Sequence, residues 1–376
     1  MRITVALQLA LLLTAFGTAR ASEGFPAFTW DRVPLYAHLG IGDGLDPNQC
    51  NFLADHFSLI TFTGGVVHMG SVEPKIAAAA RTIKKRNPAA KVLFYWASDM
   101  PKKQWKISNA TFPKDGILTS PGQGKNARRN FNVCRPDVRN WWSDIAAKAV
   151  NDYSCDGIFV DGATAGRPDG PWSRQFGKEK AAEMDQAVFA MLRQAREKMG
   201  PGKLIIFNPL HGQSEKQPPL GEQDLPVTDG AMMDDFDRAA NVRQQSKEYL
   251  VNELEQMRKS AKAGKVIVFK AWPGFTWWSD KEIMKKPHAQ QYRVAAERIT
   301  FPLACFLVAA EENCYFCYTW GWLGKYGTFD WYPEFDKPLG PPAGEPIRKG
   351  WTYQRQFAHA SVSVDLENKT ASIDWK

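Results

Sequence analysis

Eight short apolar runs, each followed by a polar or amphipathic stretch, constrain this chain more than any other feature. They fall at residues 35–41, 57–63, 91–97, 157–161, 203–208, 231–236, 265–271 and 314–319. Between them, helix-like segments cover residues 73–86, 136–153, 178–199, 242–263 and 289–303, with a shorter one over 48–55. Pro136 suits a first helical position, where its missing N–H is harmless, and Gly200 and Gly264 suit helix ends. Near-continuous apolar strands alternating with helices predict a parallel sheet covered on both faces. Eight such units between residues 35 and 319 fit an α/β fold of the (β/α)8 TIM-barrel type. An open dinucleotide-binding sheet would want G-x-G-x-x-G. His38-Leu-Gly-Ile-Gly-Asp-Gly-Leu comes near it, but Leu45 stands where the third glycine belongs.

The character of the chain changes after residue 325. Pro338-Leu-Gly-Pro-Pro-Ala-Gly is a turn-rich link. Residues 357–366 and 371–375 then alternate like antiparallel strands around the turn Glu367-Asn368-Lys369. The expected division is a barrel over 30–325 and a small C-terminal β appendage over 326–376, packed on the barrel.

Residues 1–21 read as a secretory signal. Arg2 precedes an apolar run, and the small residues around Ala19 and Ala21 follow it. The run is too short to span a bilayer, and no later stretch reaches the ~20 apolar residues a membrane helix needs. The expectation is a secreted or periplasmic protein with no membrane partner. The 48 Lys+Arg against 40 Asp+Glu give a net charge of +8. Removing Arg2 and Arg20 leaves 46 against 40, or +6. Export argues against intracellular nucleic acid as the acidic partner and leaves an anionic polymer. Export also permits disulfides among Cys50, Cys134, Cys155, Cys305, Cys314 and Cys317, whose pairing spacing alone does not choose. Cys314 and Cys317 lie three apart on a strand-like run and point to opposite faces, which disfavours a redox or metal pair.

In a barrel the C-terminal strand ends carry the site. The sharpest of them is Asp156-Gly-Ile-Phe-Val-Asp-Gly-Ala, an apolar strand ending in Asp161 and then a glycine. Asp161 could equally cap the following segment. A second acid recurs in Asp229-Gly-Ala-Met-Met-Asp-Asp-Phe, however, and two carboxylates on converging strand ends are what glycosidic cleavage requires. Asp161 is the candidate nucleophile or base and Asp234 the candidate acid/base. Successive strand residues face opposite ways, so only one of Asp234 and Asp235 can face the mouth unless a bulge intervenes. Trp96, Trp272, Trp277, Trp278, Trp320 and Trp322 offer ring faces to sugars, although tryptophan is as often a core filler. The expected sugar contacts are His38, Trp96, Asp99, Asn208, His211, Asp235, Lys270, Trp272 and Trp320. Arg128 and Arg129, on the loop after the third strand, have guanidinium forks that match sulfate or carboxylate oxygens. Scattered histidines and the lack of nucleotide or hydrolase-elbow motifs predict no metal and no cofactor. The competing class is a catalytically inactive barrel that binds glycans as a lectin. The oligomeric state is not legible.

At residues 156–162, 229–236 and 318–322, and in Lys337-Pro-Leu-Gly-Pro-Pro and Gln354-Arg-Gln-Phe, the chain resembles a group of secreted bacterial glycoside-hydrolase-like barrels. That group is related to the endo-α-1,3-fucanases that cut sulfated fucans. The resemblance implies an acid at the end of the fourth strand, where Asp161 stands. It also implies an acid, usually Glu, at the end of the sixth, where Asp234 stands. Asp is one methylene shorter, a departure that a shifted backbone would have to make good. The implied substrate is an anionic polysaccharide.

Overall fold

The computed structural model describes residues 24–121, 129–167, 170–213, 219–236, 245–276 and 279–376. The expected signal, Arg128 and the Trp277-Trp278 pair lie outside them.

The eight apolar runs become β1 (Tyr36–Gly40), β2 (Leu59–Thr63), β3 (Lys91–Tyr95), β4 (Gly157–Asp161), β5 (Leu204–Asn208), β6 (Gly230–Phe236), β7 (Val266–Ala271) and β8 (Cys314–Tyr318). They pair in that order, every neighbour parallel. Bridges from Leu35 to Phe316 and from Gly40 to Leu323 join the first strand to the last. The chain is therefore a (β/α)8 barrel, as the strand–helix alternation predicts.

The larger helices around it are α1 (Pro47–His56), α2 (Glu73–Arg86), α3 (Pro136–Asn151), α4 (Lys178–Met199), α5 (Lys247–Lys262), α6 (His288–Arg298) and α7 (Thr300–Ala309). Local chemistry sets their ends. Asp46 and Gln49 form a capping box at the start of α1, Ser246 caps α5, and Gly200 closes α4 with φ 82°. The sequence predicts one helix over 289–303, whereas the structure has two. Pro302 would clash with the Arg298 carbonyl in a continuous helix, and α6 ends at Arg298.

Residues 302–309 of α7 are buried all round, which an exposed barrel helix would not be. The reason is the C-terminal sheet that covers it. That sheet has four antiparallel strands, β9 (Ile347–Lys349), β10 (Thr352–Gln356), β11 (Ala360–Asp365) and β12 (Thr370–Trp375). The sequence predicts only the last two. The buried Arg355 guanidinium donates to the carbonyls of Leu307 and Ala310, tying the sheet to the end of α7. All six cysteines are free thiols. Among the described residues no helix is long and apolar enough to cross a membrane.

Candidate active site

The site is assembled where β3, β4, β5 and β6 end. Asp161 is the last residue of β4. Its Oδ2 accepts a 2.5 Å hydrogen bond from the Tyr95 hydroxyl at the end of β3. Its backbone carbonyl accepts from both the N–H and the hydroxyl of Ser98. These contacts fix the carboxylate's direction. Burial and the Asp161 charge hold the Tyr95 hydroxyl well above its usual pKa, so it stays a donor.

Asn208 ends β5 and joins the two acids. Its side-chain amide nitrogen lies 3.2 Å from Asp161 Oδ1 and 3.2 Å from Asp234 Oδ2. Those two carboxylate oxygens can therefore be no further apart than the sum of the contacts, about 6.4 Å. The orientation of the Asn208 amide follows from chemistry, since the ionised Asp161 carboxylate can only accept.

Asp234 reaches this position through a local irregularity. Met233 pairs with Phe269 and Phe236 with Ala271, so β6 takes three steps while β7 takes two. That extra residue is a β-bulge, the feature that re-aims a strand-end side chain. The Trp272 indole N–H donates to the Asp234 carbonyl at 2.6 Å and so braces the bulge. His211 Nε2 lies 3.8 Å from Asp234 Oδ1. The side chain of Asp235 lies outside the described part of the molecule.

A third carboxyl lies close by. The added side-chain carbon of any residue but glycine at position 162 would meet Asp99 Cγ at 3.0 Å, and Gly162 also has φ +77°. Glycine there lets Asp99 lie against the chain just after Asp161. Asp99's pKa is pushed up to about 6, chiefly by burial and further by Asp161, with Lys102 opposing.

Residues 84–361 match the model of hypothetical glycosyl hydrolase family 15. The chain belongs to that family. The matched stretch carries β3 to β8, and with them Asp99, Asp161 and Asp234. No curated protein matches the sequence. Among solved structures, the chain is similar to the glycoside hydrolase domain of PelA from Pseudomonas aeruginosa, at 15% identity and TM-score 0.46, over 70% of this chain and 91% of that one. It is similar to Ega3 of Aspergillus fumigatus, solved with galactosamine, at 12% identity and TM-score 0.41, over 72% and 90%. It is also similar to the maltogenic α-amylase AmyB of Thermotoga neapolitana, at 9% identity and TM-score 0.48, over 89% and 86%. Overlaps this loose say nothing about chemistry.

The other residues singled out in this family 15 chain divide by depth. Asp161, Asn208, Asp234, His211 and Asp99 come together at the mouth. His38 and Lys270 lie beneath it. His38 is only 3% exposed, and its Nδ1 lies 3.0 Å from the Tyr36 hydroxyl, which itself donates to Thr61. Burial, then the Lys270 charge, push the His38 pKa down to about 3. Lys270 is fully buried, donates to the carbonyls of Ala271 and Thr319, and lies 3.7 Å from the centre of the Trp272 ring. Burial brings its pKa down to about 8. Neither is a sugar contact; both belong to the polar floor below the site.

Three tryptophans are corrected in the same way. Tyr95 faces in, so Trp96, the next residue, faces out and packs against Trp141 and Trp142 of α3. Trp320 is fully buried between Phe275 and the His288 ring. Trp272 is buried and braces Asp234 rather than offering a face to sugar. Trp322 is only partly buried and lies over His38, with centroids 4.6 Å apart. Arg129 is exposed on a short hairpin (Ile117–Thr119 with Arg129–Phe131), which the Phe131 N–H ties to the Asp99 carbonyl.

Sequence reasoning missed Tyr95 and Glu253. Tyr95 was legible as a strand-end residue, but the parity of β3 was not. Glu253 carried no signal, lying mid-helix in an ordinary amphipathic pattern. Among the described residues no group of three or more His, Cys, Asp or Glu could hold a metal ion.

Proposed function

We propose that this protein is a secreted glycoside hydrolase that cleaves an anionic polysaccharide, with Asp161 as nucleophile and Asp234 as acid/base. The observation that carries the reading is the Asn208 amide shared between the two carboxylates. Retaining enzymes hold their two carboxyl groups ~5–5.5 Å apart and inverting enzymes ~6.5–9.5 Å apart, and a shared amide supports the shorter spacing. In this reading Asp161 attacks the anomeric carbon while Asp234 gives its proton to the departing oxygen. Asp234 then takes a proton from water, which attacks the same carbon and frees Asp161. Tyr95 and Asn208 hold the nucleophile in one orientation throughout.

Support for an anionic substrate comes from cations at the rim. Arg129 is exposed on the hairpin tied to Asp99, and Lys102 lies close enough to oppose the rise in Asp99's pKa. Sulfated fucan is the first polymer to try, in keeping with the sequence resemblance.

The test is reducing-end release from sulfated, uronic-acid and neutral polysaccharides, by the native protein and by Asp161→Asn. The expected result is release from an anionic polymer that weakens with salt and is lost in the variant, which still binds. Binding without release by the native protein would make the barrel a lectin. Release from neutral polymers alone, indifferent to salt, would remove the anionic substrate and leave the hydrolase.

A further inference from the structure

A buried carboxylate that no part of the proposed reaction uses lies directly behind Asp234. Glu253, on α5, is fully buried. One of its oxygens accepts the Gly212 N–H at 2.6 Å, and the other lies 3.3 Å from His211 Nδ1. The opposite nitrogen of the same ring faces Asp234 at 3.8 Å. The order in space is therefore carboxylate, imidazole, carboxylate, reaching from the middle of α5 to the barrel mouth.

The local sequence makes this contact possible. A side-chain carbon at Gly212 would meet the Asn252 carbonyl oxygen at 2.4 Å, so only glycine lets the loop after β5 lie flat on α5. That approach brings the Gly212 N–H and the His211 ring to the same side chain. A fully buried carboxylate needs such partners, because burial without hydrogen bonds is costly.

We propose that Glu253 is a positioning residue that fixes the orientation and tautomer of His211, presenting Nε2 to Asp234. The inference rests on the reading of Asp234 as acid/base. An ionised carboxylate only accepts, so it selects the ring form with hydrogen on Nδ1. The Tyr249 hydroxyl, 3.3 Å from the same nitrogen, can accept or donate and does not choose between forms. With Nδ1 carrying hydrogen, the neutral ring presents its Nε2 lone pair toward Asp234. A protonated Asp234 carboxyl, the form that gives its proton to the leaving oxygen, can turn toward that lone pair as a donor, whereas the opposite tautomer would present it with a donor instead. When Asp234 later takes a proton from water, the same ring stabilises the product of that transfer. No covalent bond to His211 or Glu253 forms at any stage.

The nearest test is the Glu253→Gln variant in the full chain. Glutamine keeps the size and can still accept from Gly212. Its NH2 group, however, would donate to Nδ1 and turn the ring to the opposite tautomer. The first readout is the long-range 15N–1H NMR spectrum of His211, assigned with His211→Gln. The native protein should show hydrogen on Nδ1, and Glu253→Gln should lose it at unchanged melting temperature. The second readout is kinetic: kcat should fall at least about tenfold with KM little changed.

An unprotonated Nδ1 in the native protein, or the same tautomer in both proteins, would overturn the proposal. So would unchanged kcat in Glu253→Gln while Asp161→Asn is inactive, and in that case the hydrolase reading survives. If the native protein shows no turnover on any glycan, the hydrolase reading fails instead, and the NMR result still decides what Glu253 does to His211.

Discussion

The two sides of the barrel mouth are built from the same sequence signal and do different things. Around β3 to β6, strand-end polar residues emerge at the surface of the cleft. Asp161, Asn208 and Asp234 are partly exposed and bonded to one another. Around β7, β8 and β1, residues of equal chemical promise sink one layer. Lys270 and His38 are buried, and their charge and ring faces are spent on Trp272, Trp322 and backbone carbonyls. The difference is depth along the strand. Asp161 and Asn208 are the last residues of their strands, and Asp234, although two strand residues follow it, lies at the β6 bulge; Lys270 is followed by Ala271 and His38 by two more residues within regular strands. Residues at the C-terminal strand ends line the mouth of a barrel, and inward residues below them fill its interior layers.

If that division is right, substitutions on the two sides should leave opposite signatures. The largest effect is expected from Asp161→Asn: a fall in kcat of about ten-thousandfold, or some 5 kcal/mol of barrier, at unchanged melting temperature. Steady-state kinetics and thermal melts on one preparation check it. Trp96→Ala should do the reverse, lowering stability by about 3–5 kcal/mol through the hole left beside Trp141 and Trp142. Urea unfolding measures this, and whatever protein stays folded should keep its KM. Trp322→Ala is expected to weaken substrate binding roughly tenfold with little loss of stability. Glycan titration would show it, and full affinity in that variant would move the sugar platform elsewhere.

The smallest effect concerns Asp99, the half-buried acid on the open side. Its folded pKa of about 6 lies above the usual aspartate value, so the fold favours its protonated form. The resulting stability is fully present below the unfolded pKa of ~3.9, declines as pH rises through about 6, and is level above that. Asp99→Asn carries no such titration. Relative to the native protein it should gain a few degrees of melting temperature between pH 4 and pH 6, and no more beyond. A difference independent of pH would put Asp99 in water rather than against Gly162.

The same contrast explains what the sequence could and could not say. The barrel was legible because its strands are short apolar runs alternating with amphipathic segments, and the acids stood out because they fall near the ends of such runs. Parity was not legible. Whether Tyr95 or Trp96 faces the cleft depends on where β3 enters the sheet, which its neighbours set. The bulge at Asp234 was posed by the doubled acid but not decided by it, since the extra residue appears only against β7. Glu253 was invisible because its meaning depends on a loop 41 and 42 residues upstream lying against α5. The break between α6 and α7 was missed because the apolar spacing of 289–303 predicts one helix, although Pro302 imposes the break by a local steric rule.

The central claim is that Asp161 and Asp234 act as a pair across one glycosidic bond at the spacing set by Asn208. The configuration of the first-formed product tests it most directly, followed by 1H NMR of the anomeric proton before mutarotation. The account predicts that the new reducing end keeps the configuration of the bond that was cut. A product of opposite configuration would contradict it, because inversion needs room for a water between carboxyl groups ~6.5–9.5 Å apart.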